Sequence, residues 1–227
     1  MFGRIIFAAA LAGLAAGLAL TAIQAYAVIP LILEAETYED QGPVTDDHGH
    51  ESEGSAAWAP ADGGERLIFT LATNVIAGIA FALLLTAAMA LIGTGDWRRG
   101  MIWGLAGYAT FSLAPAFGLP PELPGMAAGE LGARQIWWAA TAASTAAGLA
   151  LLLLVPRVAL RALGAVLIVV PHVIGAPHPD GATASAVPAE LAASFVSATL
   201  VANLLFWLVI GGASAWAFSR PSFRRVD

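Results

Sequence analysis

Two histidines separated by one glycine stand inside an acidic hexad, DDHGHE, at residues 46 to 51. Asp46, Asp47, His48, His50 and Glu51 offer imidazole nitrogens and carboxylate oxygens, a ligand mixture that suits borderline divalent ions such as cobalt, nickel and zinc. Gly49 leaves the backbone free to fold both rings towards one ion. The competing reading is a hydrated acidic loop, because two histidines without cysteine do not make a specific metal signature. A capture site here need not be tight, since an ion that is to be passed on must also be released.

A second constellation lies where two apolar segments end in proline-rich strings, SLAPAFGLPPELPGM at 112 to 126 and VVPHVIGAPHPD at 169 to 180. Prolines at such places release backbone carbonyls from helical bonding, which lipid tolerates only where protein or a water-filled cavity surrounds them. Released carbonyls are oxygen ligands in waiting. Glu34, Glu122, His172 and Glu190 fall within a few residues of this level, and ionisable groups near a bilayer are candidates for an ion path. The plainer alternative is that Pro115 and Pro171 kink their helices while the acids sit in the wet interface. Deeper polar residues are few: Gln24, Asn74, Ser144 and Asn203. Asn74 and Asn203 are candidates for lining a path, but hydrogen bonds between membrane helices average about 0.6 kcal/mol, and structural glue is the favoured reading of both.

These residues must be positioned by apolar helices. Of 227 residues, 59% are hydrophobic and 11% charged, a composition that marks an integral membrane protein. Apolar runs fall near 4–33, 66–93, 99–118, 134–155, 158–175 and 189–218. Most exceed the roughly 20 residues that a spanning helix needs, with the third and fifth near the lower limit. The expectation is an all-α polytopic membrane protein with six transmembrane helices in a single membrane domain, 1–227. The opening string has an early arginine and an Ala25-Tyr26-Ala27 step resembling a signal-peptidase site, but its hydrophobicity continues through Leu33. It is therefore read as a retained first helix.

Arginine placement sets the expected direction. With the N-terminus cytoplasmic, Arg4, Arg98, Arg99, Arg157, Arg161, Arg220, Arg224 and Arg225 lie inside, and only Arg66 and Arg134 lie outside. Both termini are then cytoplasmic. The first outer loop, about 34 to 65, is long and carries ten carboxylates. Gly and Ala recur at close spacing, as in GLAAG at 13–17 and GLAG at 104–107, and such small residues let helices approach in lipid. TLATNV at 70–75 and TLVANL at 199–204 share a pattern, which in so alanine-rich a chain is read as coincidence rather than duplication. Trp97, Trp103 and Trp216 near the inner face, with Trp137 and Trp138 near the outer, are expected to form interfacial belts.

Several activities are set aside. The chain has no lysine and no cysteine, and its net charge is -6. A P-loop, a retinal Schiff base and a thiolate metal site cannot be built, and a nucleic-acid surface is not expected. A bis-histidine haem needs a second buried histidine beside His172. No paired base and nucleophile stands out, which disfavours a membrane enzyme acting on lipid or quinone. No catalytic residue and no cofactor is expected.

The ordered strings MFGRIIFAAALAGLAAGL, WAPADGGER, SLAPAFGLPPELPGM, LGARQIWW, PHVIGAPHP and VPAELAASF together resemble the cobalt transporter subunit CbtA family of bacterial membrane proteins. The likeness covers nearly the whole chain. It implies a multi-pass protein of the bacterial inner membrane with a role in cobalt uptake linked to cobalamin supply. It also implies a small single-span partner, CbtB, that carries its own histidines. Family members have a His-rich acidic loop before the WAPADG segment, where DDHGHE stands here with only two histidines. The resulting expectation is that Asp46, Asp47, His48, His50 and Glu51 gather a divalent ion, cobalt or a similar metal. Glu34, Glu122, His172 and Glu190 then receive it at the proline-rich mouth. The rival is a non-transporting scaffold or sensor that assembles with a small partner, and either reading is compatible with a homo-oligomer.

Overall fold

The computed structural model describes residues 2–39, 60–93, 96–179 and 185–220. Asp46, Asp47, His48, His50 and Glu51 lie outside the described residues. All described secondary structure is helical: α1 (Phe2–Ala27), α2 (Ile29–Glu39), α3 (Gly64–Ile92), α4 (Trp97–Tyr108), a π-helical stretch (Ala109–Leu113), α5 (Ala114–Ala116), α6 (Leu131–Leu154), α7 (Val158–Ile174) and α8 (Ala189–Ser219). Among the described residues four helices, α1, α3, α6 and α8, are long and apolar enough to cross a membrane, and α7 is a shorter apolar helix. Large apolar side chains such as Ile76, Leu91 and Val173 lie more than two-thirds exposed, as a lipid-facing surface requires.

Two prolines reshape segments that the hydropathy pattern presents as continuous. The first run, expected as one helix over 4–33, divides at Val28 into α1 and α2. Pro30 has no N–H to continue the ladder, so the helix restarts, with Leu31 N and Ile32 N both donating to Val28 O at 3.1 and 3.2 Å. The third run passes from α4 through the π stretch into α5. Pro115 cannot donate, and its ring crowds the carbonyl of Phe111 four residues back. A widened turn relieves this by sending Ala114 N to the carbonyl of Ala109.

Glycine seams join the helices in pairs. A Cβ at Gly13 of α1 would lie 2.4 Å from Ile79 N of α3, and one at Gly78 would lie 2.6 Å from Gly13 O. Between α4 and α8, a Cβ at Gly104 would lie 2.2 Å from Trp207 O, and one at Gly211 would lie 2.2 Å from Gly100 O. The spacing of GLAAG and GLAG therefore serves close packing, as expected. α6 and α7 form a third pair around Gly148 and Gly164. That hairpin meets the other helices mainly through the π stretch and α5.

The two ends of the bundle differ in charge. Arg4, Arg98, Arg99, Arg157, Arg161 and Arg220 mark one end, where Arg4 reaches the carbonyl of Phe218. The acidic end holds α2, the start of α3, the proline-rich stretch after α5, and the start of α8.

Candidate functional site

At the acidic end a cavity of about 510 Å³ enters the bundle between the π stretch, the proline-rich stretch, the start of α6 and the middle of α8. Ser112, Glu122, Arg134, Gln135 and Asn203 are its polar lining, and Phe111 and Trp138 are its aromatic walls. Local chemistry explains how each is held. Glu130 caps α6 by accepting from Gly132 N at 2.7 Å and Ala133 N at 2.6 Å, which brings Arg134 and Gln135 to the cavity in the first turn. The same bonds, from Ala133 first and then Gly132, hold the Glu130 carboxyl below its ordinary range. Ser112 Oγ accepts from Trp207 Nε1 at 3.2 Å, tying the π stretch to α8.

The two arginines at this end are paired with carboxylates. Arg134 meets Glu122 at 2.5 Å, each side chain about one-quarter exposed. Arg66 meets Glu36 at 3.0 Å and Asp62 at 2.6 Å. Both arginines on the acidic side are thus held by carboxylates, and Glu122 enters the cavity as one half of an ion pair rather than as a free acid.

His172 sits behind this cavity instead of in it. Its Nδ1 faces the carbonyl of Ile168 at 3.0 Å and its Nε2 faces the carbonyl of Ala114 at 3.0 Å. Neutral imidazole has one N–H, so one of these carbonyls lacks a donor from the ring. Phe117 and Trp137 meet the ring edge-on at 6.2 and 6.0 Å. Trp137, expected in an interfacial belt, is buried and donates from Nε1 to Pro171 O at 3.2 Å. Burial of an indole is favourable when its N–H finds such an acceptor. Of the carbonyls near the two prolines, Pro171 O accepts from Trp137 and Ala114 O faces His172 Nε2.

The remaining residues separate. Glu34 on α2 and Glu190 on α8 are exposed and do not line the cavity. Asn74 is buried in the α1–α3 seam, donating to Thr21 Oγ1 at 3.0 Å and Gln24 Oε1 at 2.6 Å. Asn203, despite the similar local sequence, faces the cavity. Of the expected path residues, the fold brings Glu122 and Asn203 to one space and leaves Glu34, His172, Glu190 and Asn74 elsewhere. Among the described residues no group of three or more His, Asp or Glu side chains is placed to hold a metal ion. Sequence reasoning missed Ser112, Arg134 and Gln135 as lining. The signal for Arg134 was a lone cation among acids at a membrane edge; Ser112 and Gln135 had none.

No curated protein and no solved structure matches this chain. The family model described as probable cobalt transporter subunit (CbtA) matches residues 2–219. This multi-pass membrane chain of 227 residues therefore belongs, over nearly its whole length, to the CbtA family of probable cobalt transporter subunits.

Proposed function

We propose that the chain is the membrane subunit of a divalent transition-metal uptake system, with cobalt as the transported ion. In this reading the acidic end faces outwards, both termini are cytoplasmic, and the membrane is the bacterial inner membrane. The stretch from α4 through α5 and the helix α7 supply the third and fifth of six crossings. Asp46, Asp47, His48, His50 and Glu51 raise the local ion concentration, and exposed Glu34 and Glu190 add to the same field. The observation that carries the reading is the cavity of about 510 Å³ at the acidic end, which gathers Ser112, Glu122, Gln135 and Asn203 among apolar walls. Glu122 is its carboxylate, and Ser112, Gln135 and Asn203 supply neutral oxygen ligands. His172 joins the path only in a state where one ring nitrogen has left its carbonyl. The family's designation as a subunit implies a partner, and we assign that role to a small single-span protein bearing histidines.

Flux of radioactive cobalt into liposomes holding the purified protein, with and without that partner, tests the proposal across a panel of divalent ions. Saturable cobalt uptake is expected, reduced at every concentration by Glu122→Gln. Replacing His48 and His50 together by alanine is expected to reduce uptake only when cobalt is limiting. One observation favours a second reading, a non-transporting scaffold or sensor. Phe111 lines the cavity, stacked on Trp207 at 5.5 Å and tilted against Phe81 at 5.2 Å, so an ion moving inwards would meet an aromatic cluster that offers it no oxygen ligand. Absence of flux with the partner present would decide for that reading.

A further inference from the structure

A larger cleft, about 680 Å³, opens at the arginine-rich end on the other side of the same aromatic cluster. Its walls are α3, α4 and α6, and its floor is Thr110, Phe111, Phe81 and Trp207. Leu84, Ala88, Leu149 and Leu153 make those walls apolar, and Arg99 stands at the rim. The cleft lies between α6 and the pair α3 and α4, which touch α6 little outside the π stretch.

Its depth identifies what fits. From Arg99 to Phe111 is about 18 Å at 1.5 Å per residue, close to half of a hydrocarbon core roughly 30 Å thick plus the start of the headgroup layer. A spanning helix of a partner needs a groove the full thickness of the membrane, and the aromatic floor stops this one half-way. The rim carries net positive charge, with Arg98 and Arg99 against Asp96. Asp96 is the one acid at this end among the described residues, and its carboxylate is engaged in capping α4, accepting from Arg99 N at 3.2 Å. Arg98 lies over the Trp97 ring at 5.6 Å. Arg161 is committed to the carbonyl of Val155 at 2.8 Å. The Arg99 guanidinium has no carboxylate partner among the described residues.

We propose that this cleft is a binding site for one anionic phospholipid from the leaflet at the arginine-rich end, with its acyl chains on the apolar walls and its headgroup, whose phosphate charge no choline offsets, on Arg99. Thr110 and Arg99 are the polar side chains in the cleft, and neither forms a base–nucleophile pair, so the site binds the lipid without acting on it. The proposal is independent of the metal route on the acidic side.

The test uses full-length protein in nanodiscs of equal phosphatidylglycerol and phosphatidylcholine, followed by native mass spectrometry of the lipids retained on release. One phosphatidylglycerol per chain, retained in preference to phosphatidylcholine, is expected. Arg99→Gln should lower that preference about fivefold, the factor equivalent to about 1 kcal/mol for one arginine at a membrane surface. Ala150→Phe, which puts a ring into the cleft and leaves Arg99 in place, should reduce retention of either lipid; Leu149→Met, which preserves volume, should not. Equal retention of the two lipids, an unchanged preference in Arg99→Gln, or undiminished retention in Ala150→Phe would overturn the proposal. Cobalt flux measured in phosphatidylcholine alone is a separate readout, so failure of the transport reading leaves this result intact.

Discussion

The α4–α8 seam and the α6–α7 hairpin are built from the same apolar alphabet and solve opposite problems. Along α4 and α8, Gly100, Gly104 and Gly211 bring backbones so close that no Cβ fits between them. Nothing else fits there either. The hairpin instead meets the other helices through large side chains, with Trp138 tilted against Phe111 at 6.2 Å and His172 reaching Ala114 O across the junction. Those side chains hold the partners apart, and space remains on both sides of the aromatic cluster: the cavity holding Glu122 at one end and the apolar cleft at the other. Close backbone packing gives rigidity, and packing through side chains gives room. A membrane protein that handles small ligands needs both, in different places.

Placing a methyl group in the tight seam should break this contrast most severely. Gly104→Ala directs its Cβ at the carbonyl of Trp207, and backbone cannot move aside as a side-chain tip can. A loss on the order of 2–3 kcal/mol is expected for such overpacking, read as a clear drop in the thermal midpoint of the detergent-solubilised protein. An unchanged midpoint would mean that the helices separate at little cost.

At the hairpin junction the effect should be smaller and more local. His172→Ala removes the ring between Ile168 O and Ala114 O and should cost about 1–3 kcal/mol, the range for leaving a buried polar group without its partner. Amide exchange should rise in Ala109–Leu113 and α7 and stay level in α1 and α3. Uniform loosening would show that the hairpin is not a separate unit.

The smallest effect concerns the cap of α6. Glu130 is held below its ordinary value near 4.5 by the Ala133 and Gly132 amides. A depressed carboxyl contributes stability that is fully present above that ordinary value and is lost as pH falls through the folded value. Stability of the α6 start should therefore be flat from neutral pH down to about 4.5 and decline below it. Glu130→Gln should flatten that decline, and an unchanged acid limb in pH-dependent exchange at Gly132 to Arg134 would assign it to other carboxylates.

Helix positions along the chain were largely legible because hydropathy is a local property. The expected start at 66 and observed start at Gly64, or the expected end at 155 and observed end at Leu154, differ by no more than fraying allows. The proline breaks at Val28 and at Ala109–Leu113 were less legible. A proline states that a bond is missing but not whether the chain restarts, kinks or widens. Site geometry was legible only in part. Asn74 and Asn203 look alike in sequence, yet one is glue in the α1–α3 seam and the other faces a cavity.

Membership in an apolar helical class, the segregation of arginine from carboxylate, and the absence of thiol and lysine chemistry were determined by the sequence alone, since each depends only on residue identity and order. Tertiary structure decided which polar groups share a space. It joined Glu122 to Arg134, gave both His172 nitrogens to carbonyls, and drew Ser112, Gln135 and Asn203 into one cavity. Such choices arise from how far apart packed helices stand and how each is rotated. These quantities are set by the fit of whole helix surfaces, which no local stretch of residues encodes.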